Sequence, residues 1–152
     1  YRDWERAGFL SLCEGDIVDF SQVEDEAAEL FDLRMLGVDP YLSRTLTQRL
    51  SARGLHVVEI PQTMLSLSPA MKELERMIRA HEMLHIHNTC ARWCFGNVRC
   101  AVDGNENIKP MKNRSTGRID ITVSWIIAMA TWMVVRGQRD YDTRNLEEEW
   151  SL

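Results

Sequence analysis

The sequence predicts an α/β domain, on three observations. Two short apolar runs, residues 33–38 and 56–60, flank a segment whose leucines recur at helical spacing. A long uncharged stretch at residues 123–135 has the length of a core helix, and Asp103-Gly104-Asn105 separates two further extended pieces. Apolar strand, amphipathic helix and apolar strand in that order make a crossover unit, with parallel neighbours joined in the right-handed sense.

In chain order, residues 1–20 form a lead-in, with an apolar piece at Phe9-Leu10-Ser11-Leu12 and a turn at Glu14-Gly15-Asp16. Asp19 or Ser21 caps an acidic helix that carries Val23, Ala27, Leu30 and Phe31 on one face. Leu33 to Val38 is a buried strand; Asp39-Pro40 ends it, because proline cannot continue a ladder and holds the residue before it extended. The next helix, Leu42 to Ala52, aligns Leu42, Leu46 and Leu50 and stops at Gly54, and His56 to Ile60 is the second strand. Ser68-Pro69 is expected to open a third helix as its cap and first-turn proline, with Met71, Leu74, Met77 and Ile78 inward.

A short strand is expected at Leu84 to Ile86, a turn or helical piece from Asn88 to Asn97, and a strand at Val98 to Val102. The Asp103-Gly104-Asn105 turn then reverses the chain into Asn107-Ile108-Lys109. A last helix runs from Thr116 to Val135, and Arg139 to Leu152 is expected to be a loosely held charged tail. The expected organisation is one domain over residues 1–136 and a tail over 137–152.

At 152 residues and 45% hydrophobic content, the chain fits one domain with one core. It begins with Tyr1 and not Met, as expected of a fragment. The longest apolar run falls short of the roughly 20 residues of a bilayer span, and no signal-like segment opens the chain. Cys13, Cys90, Cys94 and Cys100 are therefore expected as reduced thiols. A net charge of -5 argues against sequence-independent coating of nucleic acid, but leaves room for local basic patches.

Two acids stand out. Asp39 ends a buried strand and Asp120 opens a buried helix, where an unpaired carboxylate would be costly. Both suit the hard oxygen donation that Mg2+ or Mn2+ requires. Asp-Pro is also ordinary turn chemistry, and an acid in a first turn also favours the helix dipole. Lys109, Lys112, Arg114 and Arg118 gather before Asp120 within an acidic chain. Such a run feeding into a carboxylate suits a phosphodiester brought to a metal ion; the alternative is a solvated loop. His85, His87, Cys90, Cys94 and Cys100 are a rival donor set for zinc, but no C-x-x-C knuckle is present and Cys90 with Cys94 is what a buried helical face would also show. No glycine-rich loop ending in Gly-Lys-Ser or Gly-Lys-Thr occurs, so ATP hydrolysis is not expected of this chain.

A family resemblance rests on an ordered set of segments. These are Tyr1-Arg2-Asp3-Trp4 with Ala7-Gly8-Phe9-Leu10, Val38-Asp39-Pro40, Leu65-Ser66-Leu67-Ser68-Pro69 with Lys72-Glu73-Leu74-Glu75, Arg92-Trp93 with Asn97-Val98, Asn107-Ile108-Lys109-Pro110, and Ser115-Thr116-Gly117-Arg118-Ile119-Asp120. In this order the chain resembles the C-terminal nuclease domain of the large terminase subunit of tailed bacteriophages and prophages.

The resemblance implies an RNase H-like mixed sheet flanked by helices, here lacking its first strands. It implies a metal-dependent endonuclease that cuts concatemeric double-stranded DNA during genome packaging in the bacterial host cytoplasm, with two Mg2+ or Mn2+ ions. Asp39 corresponds to the second acidic ligand and Asp120 to the third, the first lying upstream. His85 and Asn88 fall where the family has a hairpin His and Asn, to orient water or contact phosphate, and Lys109, Lys112, Arg114 and Arg118 match a stretch facing the DNA backbone. The implied partners are double-stranded DNA, the terminase ATPase domain, the small subunit and the portal. The alternative is a catalytically incomplete RNase H-like module that binds DNA or docks on the packaging motor or portal.

Overall fold

The computed structural model describes residues 1–149 except 14, 16–17, 19, 30–32, 34, 42–43 and 85–86, and only the backbone of Ala27 and of 138–149. The elements are α1 (Arg2–Arg6), α2 (Phe20–Glu29), β1 (Leu36–Val38), α3 (Arg44–Ala52), β2 (Val57–Glu59), α4 (Met64–Arg79), α5 (Thr89–Asn97), β3 (Cys100–Val102), β4 (Ile108–Pro110) and α6 (Asp120–Glu149). The α/β class is as the sequence predicts.

The crossover unit forms. β1 and β2 are parallel, with Leu36 beside Val57 and Val38 beside Glu59. The ladder extends at both ends: Leu36 N–H donates to the His56 carbonyl at 2.9 Å and Ile60 N–H to the Val38 carbonyl at 2.8 Å. β3 and β4 form the predicted antiparallel hairpin, Val102 opposite Ile108. Among the described residues these are two separate two-stranded sheets and not one mixed sheet. Each pair packs on a different helix, β4 on α4 and β1 on α6.

The core lies between α4 and α6, where Leu67, Ala70, Met71 and Leu74 meet Ile126, Ala130 and Ile60 from the end of β2. The α4 residues recur at three- and four-residue spacing and the two α6 residues are four apart, which puts each set on one face of its helix. Phe95 of α5 meets Trp125 edge to face, ring centroids 5.0 Å apart.

Several expected elements differ. α4 starts at Met64, not at Ser68-Pro69: Thr63 Oγ1 accepts the Ser66 N–H at 3.1 Å and caps the helix, leaving Pro69 inside it. Ser68 is fully buried, and its hydroxyl accepts the Ile108 N–H at 3.1 Å, joining α4 to β4. On α2, Val23 is exposed and Glu24 is buried. The Glu24 carboxylate lies 3.2 Å from Arg49 of α3 and 3.8 Å from Arg53 just past its end, a pairing that makes its burial tolerable. Asp19, Leu30 and Phe31, also assigned to that helix, lie outside the described residues. Leu84 is fully exposed and belongs to no strand.

α6 begins four residues later than expected and its backbone stays helical to Glu149, through most of the charged segment expected as a tail. The lead-in contains α1, which the sequence did not signal. Trp4 packs on Trp93 of α5 with centroids 5.4 Å apart, and Tyr1 lies edge-on to both rings.

Candidate functional site

Asp39 follows β1 directly and is half-buried. Its Oδ1 accepts the Tyr41 N–H at 3.0 Å, an Asx turn across Pro40, and its Oδ2 accepts from Gln62 Nε2, just past β2. Both oxygens of the carboxylate are thus engaged by neutral donors at the end of the parallel pair. β1 reaches α6 closely because residue 37 is glycine: a Cβ there would lie 2.0 Å from Thr131 Oγ1 and 2.9 Å from Ile127 Cγ2. The strand carrying Asp39 therefore rests on the helix that Asp120 opens.

Asp120 is the first residue of α6. Its carboxylate is not buried as the sequence suggested. It is 60% exposed, and Oδ1 lies 3.0 Å from Lys112 Nζ, itself 62% exposed. The apolar stripe of Ile119, Val123 and Ile126 faces inward, which turns Asp120 outward. Thr122, two residues on, is buried with a hydroxyl that has no hydrogen-bond partner among the described residues.

The basic residues surround this carboxylate in sequence but play different parts. Lys112 pairs with it. Arg114 and Arg118 are exposed, Lys109 is half-buried on β4, and among the described residues none of these three side chains forms an ion pair. That leaves three cations without an ion pair among the described residues, Lys109 on β4 and Arg114 and Arg118 in the loop before α6.

His85 lies outside the described residues. Asn88 caps α5, its side-chain oxygen accepting the Ala91 N–H at 3.0 Å. It also borders a cavity of about 540 Å³ whose wall includes His81, His87 and Trp125. For the zinc set, Cys90 and Cys94 are buried on α5 and Cys100 is exposed on β3. Burial pushes the Cys94 thiol above its usual range, which suits packing better than metal binding.

Carboxylates have the right donor chemistry for Mg2+ or Mn2+. Among the described residues, however, no three or more His, Cys, Asp or Glu side chains gather closely enough to hold a metal ion. Asp39 and Asp120 alone do not complete such a site.

The chain matches the family described as terminase large subunit, endonuclease domain, over residues 1–136. It belongs to that family. It is 30% identical over 139 residues to Protein YmfN of Escherichia coli (strain K12), a match covering 88% of this chain and 30% of that protein. It is 28% identical over 149 residues to the terminase large subunit of Enterobacteria phage HK97, covering 93% of this chain and 30% of that one. The crystal structure of the HK97 bacteriophage large terminase superposes with a TM-score of 0.78 at 28% identity, over 86% of this chain and 28% of that structure's chain. The chain thus spans about a third of the length of these relatives.

In this terminase nuclease domain, three residues near the acids had no role assigned from sequence, although Asn97 and Gly117 lie in the segments that carry the family resemblance. Gln62 carried no signal, since a glutamine after a strand is unremarkable. Asn97 and Gly117 meet around the loop before Asp120, where a Cβ on residue 117 would lie 2.7 Å from Asn97 Nδ2. A glycine in the middle of Ser-Thr-Gly-Arg was the available clue to a close approach. Among the described residues of the terminase domain, no helix is long and apolar enough to cross a membrane.

Proposed function

We propose that this domain is the DNA-cutting module of a phage or prophage packaging terminase, an RNase H-like metal-dependent endonuclease hydrolysing phosphodiesters of concatemeric double-stranded DNA. The observation that carries this reading is the family match over residues 1–136, with Asp39 at the end of a strand that rests on the helix Asp120 opens. Asp39 and Asp120 are read as two carboxylate ligands, with a further acid supplied from outside this chain. Two Mg2+ or Mn2+ ions would supply Lewis acidity and an activated water.

The chain's own residues do the rest. Arg114, Arg118 and Lys109 offer unpaired charge to the DNA backbone, a contact that positions the duplex without reading its sequence. Lys112 neutralises Asp120 and holds it at the rim of the basic loop. Asn88 supports the site through the cap of α5, and His85 keeps its proposed role of orienting water or contacting phosphate. The working context is the cytoplasm of a bacterial host, with the ATPase domain, the small subunit and the portal as partners.

A catalytically incomplete module that binds DNA or docks on the packaging motor is the alternative. It is favoured by the absence of a three-donor group among the described residues.

Nicking of supercoiled plasmid in Mn2+ separates the two. The polypeptide extended upstream to include a complete first strand is compared with its Asp39→Asn and Asp120→Asn variants, each checked for folding by circular dichroism. Cleavage that disappears in folded variants supports the nuclease. Cleavage unchanged by either substitution, or none in the parent, turns the choice to the binding module.

A further inference from the structure

The loop between β4 and α6 is held from one side by the end of α5. Asn97, the last residue of that helix, is buried. Its carbonyl accepts the Thr116 N–H at 3.2 Å. Its side-chain Oδ1 accepts the Thr116 hydroxyl at 3.2 Å, and its Nδ2 donates to the Arg118 carbonyl at 3.1 Å. One asparagine therefore makes three hydrogen bonds to two residues of the loop, spanning Gly117.

Gly117 is pressed into that span. A Cβ there would lie 2.7 Å from Asn97 Nδ2 and 3.1 Å from Trp93 Cζ2. Trp93 in turn is backed by Trp4, with ring centroids 5.4 Å apart. The upstream end of the loop is closed too: Arg99 N–H donates to Ser115 Oγ at 3.2 Å, Ser115 Oγ donates to the Met111 carbonyl at 2.8 Å, and Met111 N–H donates to the Arg99 carbonyl at 2.8 Å. The amide of Asn97 is spent on the loop and not on the core, and the Arg118 carbonyl that it holds is two residues from Asp120.

We propose that Asn97 is a positioning residue which, with Thr116 and Gly117, clamps the loop so that Arg118 and Asp120 are held in register for cleavage. The proposal rests on the nuclease reading above. Asn97 touches no reacting atom; it acts through the backbone of Thr116 and Arg118. A displacement of about 1 Å in a reacting group costs on the order of 100-fold in rate, so a loop left to fluctuate would fold and still cut slowly.

The test pairs hydrogen exchange of peptides spanning residues 111–120 with nicking kinetics, both on the upstream-extended polypeptide. Thr116 is exposed, so Thr116→Val removes one clamp bond without opening the core. It is expected to speed exchange in 111–120 by about tenfold, the effect of one lost hydrogen bond, while peptides from α4 are unchanged. It is expected to lower kcat roughly 10- to 100-fold with KM within about twofold, and Thr116→Ser restores both. Asn97→Ala, where it folds, shows the same split more strongly.

Unchanged exchange in Thr116→Val overturns the clamp. Faster exchange with kcat unchanged, or failure of Thr116→Ser to restore the rate, overturns the positioning role. A parent polypeptide that does not nick at all defeats the nuclease reading, and the positioning role with it, whatever the exchange shows.

Discussion

Lys112 and Asp120 close the basic loop on itself, Nζ to Oδ1 at 3.0 Å across an eight-residue separation. Both side chains are more than half exposed, so the pair contributes little to stability and its importance is electrostatic. Lys112→Met is expected to change the free energy of unfolding by less than about 1 kcal/mol, measured by urea denaturation. If the loop faces DNA, it is Arg114→Met, which removes an exposed cation with no ion pair among the described residues, that flattens the slope of log affinity against log salt by about 1, measured by binding at several salt concentrations.

Gly37 lets β1 lie on α6. Gly37→Ala places a methyl 2.0 Å from Thr131 Oγ1 and 3.3 Å from the Ile127 carbonyl. The strand must lift or the helix must give, at a cost of about 1–3 kcal/mol or more. The double variant Gly37→Ala with Thr131→Ala is expected to recover only part of that loss, because Ile127 Cγ2 remains in the way; denaturant midpoints of the single and double variants give the coupling.

Ser68 shows a buried hydroxyl tying together elements 40 residues apart. Ser68→Ala leaves the Ile108 amide without its acceptor, and a loss of about 1–3 kcal/mol is expected. Hydrogen exchange at Ile108 should accelerate even where the global loss is small.

Asp103 organises the β3–β4 turn, accepting from the Asn107 side chain and from the backbone N–H groups of Asn105 and Asn107, each at 2.9 Å. Those bonds, the Asn107 side chain first, hold its carboxyl below the usual aspartate range. The folded form thus binds the proton more weakly than the unfolded chain. Its stabilising contribution is complete above the unfolded pKa and is lost as pH falls through the lower, folded one. Asp103→Asn is expected to flatten the acid limb of the stability–pH curve, measured by urea denaturation at a series of acidic pH values, and to change little near neutrality beyond a constant offset.

Much of the fold was legible because local rules and the global structure agree. The two apolar runs around the α3 leucines could only be satisfied as neighbouring parallel strands, and Asp103-Gly104-Asn105 is a turn whatever surrounds it. Where the expectation failed, a distant partner had intervened. Ser68-Pro69 carries the marks of a helix start, yet Thr63 caps the helix one turn earlier and Ser68 is recruited by β4. Val23 and Glu24 exchange places on α2 because Arg49 of α3 and Arg53 just beyond it wait for the carboxylate.

The site divides along the same line. Asp39, Asp120 and the four basic residues could be nominated as candidates from sequence because residue type, flanking Pro or Gly and local charge are all encoded within a few positions. Their exposure and partners could not. The sequence by itself determined the α/β class, the hairpin and the family, and it nominated the two acids as candidates. Only the tertiary structure decided that Asp120 faces solvent against Lys112, that Gln62 reaches Asp39, and that Asn97 holds the loop before Asp120. The physical reason is range: propensity and periodicity act over one or two turns of chain, whereas the partners of these side chains come from beyond that range, Gln62 from 23 residues away on Asp39 and Asn97 from 21 residues away on Arg118.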